Sequence, residues 1–222
     1  MFPIAGAALF GTMDDVTAIR NPDTTVSICE LSPQVFLRRI DELVSLHLRA
    51  MGYGPAAFPQ RRSLWAANSA IAGFTATVAL DHDTPTAADP ADLTQRVVGI
   101  AYGFPGTPTS WWYREVFRGL RASGRSTSEA AATLADYDEV SEVHVLPGYQ
   151  GNGIGRRLLD NLLPRLSRPT AMLSTPEVPD EANAAWTLYR DLGFGDVLRN
   201  FHFASDSRPF GILARPRTDG RC

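Results

Sequence analysis

The sequence predicts a single domain of the α/β (α+β) class, with a central sheet of about seven strands and about four flanking helices. Short runs rich in β-branched residues alternate with longer segments whose apolar residues recur at helical spacing. A chain of 222 residues, 44% of them hydrophobic, is long and apolar enough to build one large core. We therefore predict one domain over residues 1–222, whose most informative part lies between residues 137 and 195.

Each predicted element follows from its residue pattern and its flanking turn residues. The strands are expected at residues 24–31, 71–80, 95–104, 139–146, 170–175, 201–203 and 209–213. The helices are expected at residues 32–51, 111–120, 156–166 and 183–192, with a short one at 128–134. Ser32 and Pro33 begin the first helix, because serine caps a helix and proline suits its first position. The polar, proline-containing residues 81–92 predict an exposed loop between two antiparallel strands.

Charge and cysteine content narrow the class of protein. The formal net charge is −3, which does not favour a nucleic-acid partner. Cys29 and Cys222 stand far apart and form no disulfide framework, which fits a reducing compartment. The apolar start, MFPIAGAALFG, lacks basic residues, and no apolar run approaches the ~20 residues of a membrane span. We expect a cytoplasmic protein with no nucleic acid and no membrane among its partners.

The run YDEVSEVHVLPGYQGNGIGRRLLDNLLPRL, residues 137–166, combines a strand, a glycine-dense loop and a leucine-rich helix. A helix N-terminus presents unpaired N–H groups and partial positive charge, and glycine lets the backbone approach a phosphate closely. Arg156 and Arg157 add positive charge beside the loop. The predicted diphosphate cradle consists of Gln150, Gly151, Asn152, Gly153, Ile154, Gly155 and Arg156.

The glycine spacing distinguishes among diphosphate-binding loops. A Walker A loop needs a lysine after its last glycine, and the dinucleotide fingerprint needs G-x-G-x-x-G, whereas this loop reads G-x-G-x-G. The run Gln150-x-x-Gly153-x-Gly155 resembles the [Arg/Gln]-x-x-Gly-x-[Gly/Ala] signature of the GNAT superfamily of N-acetyltransferases. The resemblance implies a mixed, mostly antiparallel sheet with a splayed parallel central pair of strands. It also implies acetyl-CoA as co-substrate, with its pyrophosphate in this loop.

In the GNAT plan, the strand before the loop and the next strand splay apart, and the pantetheine arm fills the gap. The backbone of Val143, His144 and Val145 would then meet the pantetheine and the acetyl carbonyl. A second stretch, residues 183–194, resembles the family helix that ends in Leu-Tyr-x-x-x-Gly-Phe. The resemblance implies that Tyr189 touches the cofactor and returns a proton to the CoA thiolate. Asn183 is a cofactor candidate one residue out of place, since the family position falls on Ala182.

The implied reaction is direct attack of an amine on the thioester, which requires the amine to lose a proton. Glu139 and Glu142 are the candidate bases, and Glu139 occupies the place of the base in some histone-type members. Strand alternation places the two carboxylates on opposite faces, so at most one is expected in the pocket. Glu177 is a third candidate.

Several features stay open at the level of the sequence. The expected acceptor is an amine of a small molecule or peptide, and its site is expected in residues 52–65, in the insertion at residues 105–135 and in the last hairpin. Candidate lining residues are Tyr53, Phe58 and Trp65, and the tandem aromatics from Trp111 either cap this pocket or bury the insertion.

A catalytically silent CoA-binding regulator is the alternative function. No ligand cluster has metal spacing, so we predict no metal; a homodimer is an open expectation.

Overall fold

The computed structural model describes residues 24–204 and 206–217. Its helices are α1 Pro33–Arg38, α2 Ile40–Met51, α3 Phe58–Ser69, α4 Trp111–Ala122, α5 Thr127–Thr133, α6 Ile154–Leu162 and α7 Ala184–Asp191. Its strands are β1 Thr24–Leu31, β2 Thr75–Asp83, β3 Arg96–Pro105, β4 Tyr137–Val145, β5 Thr170–Pro176, β6 Gly195–Phe201 and β7 Phe210–Pro216. The apolar start of the chain and Cys222 lie outside the described residues.

One mixed sheet organises the domain, with strand order β1-β2-β3-β4-β5-β7-β6. Neighbouring strands are antiparallel except for β4 and β5, which run parallel. This parallel pair is registered only from Tyr137–Thr170 to Glu139–Met172. Beyond Glu139 the two strands part, while β4 continues on β3 and β5 continues on β7. The predicted fold class, with its splayed parallel pair, is confirmed.

The first predicted helix is divided in two by the side chain of Arg39. Arg39 is 2% exposed, and its guanidinium donates to the carbonyl oxygens of Pro90 and Gln95 at 2.6 and 3.1 Å and also to that of Asp92. These bonds hold the loop between β2 and β3 against the junction of α1 and α2. The second helix ends at Gly52, whose left-handed φ of 65° suits a glycine C-cap.

Helix α3 was not predicted, because Gly52, Gly54 and Pro55 give its approach the composition of a turn. Its buried positions are Arg61, Trp65 and Ser69, a stripe with the right spacing but only one apolar member. Strand β6 was also misplaced: the prediction began at residue 201, where β6 ends.

Opposite faces of the sheet carry different helices. On β3, the Tyr102 ring packs against Phe36 of α1 and Trp65 of α3, with centroids 5.5 and 5.2 Å apart. A Cβ built on Gly99, which points to the other face, would lie 3.1 Å from Leu158 of α6. Residues that alternate along β4 therefore face either the α1–α3 layer or α6.

The insertion at residues 105–135 forms α4 and α5, which pack on β6 and β7 in a second apolar core. Trp112 is 6% exposed, lies 5.4 Å from the Tyr137 ring and donates to Ser174 Oγ at 3.4 Å. Gly119 lies so close to Phe201 that an added Cβ would approach its ring to 2.6 Å. Trp112 therefore buries the insertion against the sheet, one of the two roles considered for the tandem aromatics.

Candidate active site

A cleft opens where β4 and β5 part. A cavity of about 500 Å³ lies between the end of β4, the turn that follows it and the starts of α6 and α7. It is lined by Val145, Tyr149, Gln150, Gly151, Gly153, Ile154, Gly155, Arg156, Asn183, Ala184 and Leu188. All of the predicted cradle residues except Asn152 thus line one concave site, with Val145 at the end of the splayed strand.

The glycine turn is built for close approach of a ligand to the backbone. Gly151 and Gly153 have φ values of 76° and 71°, the left-handed region that favours glycine. Gly153 caps α6, so the first N–H groups of that helix open toward the cavity. Gln150 donates from Nε2 to the carbonyl oxygen of Val145 at 3.0 Å, which ties the turn to the end of β4.

The polar side chains beside the turn have distinct positions. Asn152 donates from Nδ2 to the carbonyl oxygens of Tyr149 and Gln150 at 3.2 and 3.0 Å, so it shapes the turn from outside. Arg156 lines the cavity and forms an exposed ion pair with Asp191 at 3.2 Å. Arg157 turns away and donates to the carbonyl oxygen of Val26 on β1 at 2.9 Å. Of the two arginines expected beside the cradle, only Arg156 lines this cavity.

Helix α7 contributes the other wall. Asn183 Oδ1 accepts from the N–H of Trp186 at 2.9 Å, so its oxygen caps α7 even though the residue lines the cavity. Tyr189 is 1% exposed and packs edge-on against Phe194, with centroids 5.8 Å apart. Burial, with a smaller contribution from the charge of Glu142, raises the pKa of Tyr189 well above its ordinary value. The phenol therefore keeps its proton throughout the neutral range.

A bulge in β4 changes the relation between the two candidate bases. Tyr102 of β3 pairs with Glu142, and Gly103 pairs with Val140, so Ser141 is an extra residue. Glu139 pairs with Phe104, which lies on the same face as Tyr102. Strict alternation therefore fails here: Glu139 and Glu142 both face the α1–α3 layer, contrary to the prediction from alternation.

Burial makes this carboxylate pair strongly asymmetric. Burial first, and then the charge of Glu142, raise the pKa of Glu139 to about 8. Burial also acts to raise the pKa of Glu142, but the hydrogen bond to His144 and the charge of Arg61 act in the opposite direction, and the pKa lies below its ordinary value. Near neutral pH, Glu142 is therefore ionised while Glu139 holds its proton.

Glu142 lies in a buried polar cluster that the sequence did not predict. Its Oε1 accepts from Trp65 Nε1 at 3.2 Å, and its Oε2 lies 2.5 Å from His144 Nε2. His144 Nε2 also lies 2.9 Å from Nδ1 of His47, on α2. All four side chains are fully buried. Burial lowers the pKa of His47 to about 3, with smaller opposing and reinforcing effects from Glu142, His144 and Arg61, so its ring is neutral.

The other candidates for the acceptor site, and the third candidate base, take part in packing, hydrogen bonds and ion pairs. Trp65 is fully buried, whereas Tyr53 is half-buried and accepts from Arg208 of the last hairpin at 3.2 Å. Phe58 packs at the edge of the main core. Glu177 forms a bidentate pair with Arg199, both bonds at 2.7 Å, which lowers its pKa against the effect of burial. These bonds make Glu177 a poor candidate for the base.

A splayed parallel strand pair that opens beside a glycine turn and a helix N-terminus is the architecture of an enzyme that uses an acyl-CoA. A family model for the acetyltransferase (GNAT) domain matches residues 120–195. The chain is 35% identical over 200 residues to a GCN5-like protein acetyltransferase of Mycobacterium tuberculosis, covering 86% of this chain and 97% of that protein. It is also 33% identical over 87 residues to the ribosomal protein bS18-alanine N-acetyltransferase of Escherichia coli, which covers 37% and 59% of the two chains.

Solved structures agree on the fold. The E. coli ribosomal-protein-S18-alanine N-acetyltransferase superposes with a TM-score of 0.52 at 17% identity, over 86% of this chain and 94% of its own. Arabidopsis thaliana NAA60 in complex with acetyl-CoA superposes with a TM-score of 0.53 at 13% identity, over 86% and 98%. The chain belongs to the GNAT acetyltransferase family and transfers acetyl groups from acetyl-CoA. Among the described residues, no helix is long and apolar enough to span a membrane.

Proposed function

We propose that this enzyme acetylates an amine of a protein or peptide, by direct attack of the amine on the thioester while both substrates are bound. The observation that carries the proposal is a pair of buried groups, Glu139 and Tyr189. The negative charge of Glu142 acts on both of them and helps to raise the pKa of each. Glu139 lies at the last registered pair of β4 and β5. In this proposal Glu139, where β4 and β5 part, is the proton acceptor, and Tyr189 of α7 is the proton donor.

In this proposal the CoA diphosphate binds the N–H groups of residues 150–156. The pantetheine arm adds to the free edge of β4 at Val143, His144 and Val145, which orients the thioester against the backbone. A backbone N–H near Val145 stabilises the negative charge that develops on the carbonyl oxygen. Holding the amine and the thioester together supplies a large part of the rate.

Glu139 is the better of the two candidate bases. Both oxygens of Glu142 are engaged, by Trp65 and His144, whereas Glu139 is the more exposed of the pair, at 9% against 0%. A base is most effective when its pKa lies near the working pH, and that of Glu139 is about 8. Glu139 accepts the proton of the attacking amine, directly or through water, and Tyr189 donates a proton to the departing thiolate.

The class of acceptor is suggested by the relatives. The names of the M. tuberculosis and E. coli relatives both state a protein acceptor. In this proposal the acceptor site is bordered by α3, the insertion and the last hairpin, each of which has exposed residues that a protein substrate could contact. A small-molecule amine is the competing acceptor.

The proposal is tested by release of free thiol from acetyl-CoA in the presence of an amine panel. The panel contains peptides with a free N-terminus, peptides with a blocked N-terminus and an internal lysine, and small polyamines. We expect thiol release and a mass increase of one acetyl group on a peptide. If CoA raises the melting temperature but no amine releases thiol, the chain is instead a silent CoA-binding regulator.

A further inference from the structure

Three metal-ligand atoms converge inside the α1–α3 layer. They are His47 Nδ1, Glu142 Oε2 and His144 Nε2, all on fully buried side chains. The separations are 2.5 Å between Glu142 and His144, 2.9 Å between the histidines and 3.6 Å between His47 and Glu142. At these separations a single point lies about 2.1 Å from all three atoms, the distance at which zinc binds imidazole nitrogen and carboxylate oxygen.

Protons alone do not satisfy this arrangement. His144 Nε2 has two neighbours at hydrogen-bond distance, yet a neutral imidazole carries one proton and donates it once. If that proton goes to Glu142, the lone pair of His47 Nδ1 faces the carboxylate without a good donor. If His47 donates to His144 instead, two lone pairs meet at 2.5 Å. A cation at the centre accepts an electron pair from all three ligands.

We propose that His47, Glu142 and His144 form a buried binding site for a divalent transition-metal ion of the zinc type. Two imidazoles and one carboxylate are a ligand set suited to such an ion, and three ligands on one side leave further coordination positions open. The N–H of Trp65 fixes the second carboxylate oxygen, as outer partners do in metal centres. The charge of Arg61 acts on the same cluster and opposes a cation, so the ligand bonds themselves must supply the affinity.

The site has a consequence for acetyl transfer, which rests on the proposed function. A bound ion draws on the negative charge of Glu142, the same charge that acts on Glu139 and Tyr189. Metal occupancy is therefore expected to shift the pH dependence of transfer to lower pH and to leave the glycine turn free to bind CoA. The prediction of no metal rested on ligand spacing along the chain, which could not foresee a cluster whose histidines stand 97 positions apart.

The test uses the full chain, stripped of metal with a chelator and titrated with Co²⁺ without acetyl-CoA. We expect one equivalent of Co²⁺ to bind, with visible absorption bands that Zn²⁺ abolishes by competition. His47→Gln and His144→Gln should each weaken binding at least tenfold, because each removes one of three ligands. His202→Gln, an exposed histidine outside the cluster, is the matched control and should bind normally.

Wild-type protein alone gives a second readout if a variant does not fold. On Zn²⁺ addition, ¹⁵N NMR of the histidine rings should shift Nδ1 of one histidine and Nε2 of another, the pair of atoms that the geometry designates. No binding by wild-type protein, binding that survives both substitutions, or shifts at other ring nitrogens would overturn the proposal. Metal binding by a protein whose metal-free form transfers no acetyl group to any amine would remove the proposed function and leave the metal site standing.

Discussion

Glu139 and Glu142 lie on the same face of β4, although they are three positions apart, because Ser141 is an extra residue opposite Tyr102 and Gly103. The bulge brings two carboxylates into one water-poor space, and one of them must hold a proton. Glu142 is fixed by Trp65 and His144, so the proton resides on Glu139. The backbone irregularity thus produces a carboxyl whose pKa of about 8 suits the deprotonation of an amine.

The pH dependence of transfer should depend on Glu139. We expect Glu139→Gln to lower the turnover number about 100-fold, within the usual range for loss of a general base. The ratio of wild-type to variant rates should increase as the pH rises through about 8, because Glu139 becomes a base as it loses its proton. Rates at saturating substrates between pH 6 and 10 measure this ratio, and a constant ratio would exclude Glu139 from that role.

The free energy of unfolding should depend on the ionisation of Glu139, and the direction of its change with pH follows from the raised pKa. The folded state raises the pKa of Glu139 from 4.5 to about 8, so between these values the folded state binds a proton that the unfolded state lacks. The free energy of unfolding of the wild type should therefore fall, relative to Glu139→Gln, as the pH rises from about 4.5 to about 8. We expect a relative loss on the order of a few kcal/mol. Urea unfolding at several pH values measures it, and parallel curves for the two proteins would contradict the assigned shift.

Tyr189 should matter for chemistry and not for CoA affinity. Tyr189→Phe keeps the ring against Phe194 and removes only the hydroxyl, so we expect turnover to fall about 10- to 100-fold. The dissociation constant of CoA, measured by calorimetry, should change less than twofold. Tyr113→Phe on α4, where the ring stacks on Phe117, is the matched control and should be as active as the wild type. Full activity of Tyr189→Phe would assign the proton donor to another group.

A side chain at the left-handed glycines of the turn should weaken the binding of CoA. Gly153→Ala introduces backbone strain of about 1–2 kcal/mol and places a methyl group beside the helix N-terminus. We expect CoA affinity to fall at least tenfold. Gly124→Ala is the matched control, because Gly124 also has a positive φ and an added Cβ there likewise meets no atom within 4 Å. Equal CoA affinities for the two variants would show that the turn is not the cradle.

The elements with strong local signals were predictable from the sequence. The strand, turn and helix around Gly153 depend on neighbouring residues, and so does the capped helix that carries Tyr189. Helix α3 has only one apolar residue among its buried positions, and the residues before it have the composition of a turn, so the sequence did not indicate a helix there. Arg39 divides α1 from α2 through bonds to a loop about 50 residues away, which no local pattern reveals.

The candidate site was predictable in its cofactor half and much less so in its catalytic half. In the proposed cradle, residues 150–156 act through their own backbone, so their spacing carries the information. The environment of Glu139 depends on a bulge at Ser141, and alternation cannot detect an extra residue. The cluster of His47, Trp65 and His144 depends on how α2 and α3 pack on β4, which is tertiary information.

The most direct test of the account is a crystal structure of the protein with CoA. We expect the diphosphate within hydrogen-bond distance of the backbone N–H groups between Gly151 and Arg156. The pantetheine arm should run along the edge of β4 from Val145 toward Val143, with its sulfur near the Tyr189 hydroxyl. A diphosphate bound elsewhere, or a glycine turn that stays empty at saturating CoA, would contradict the central claim.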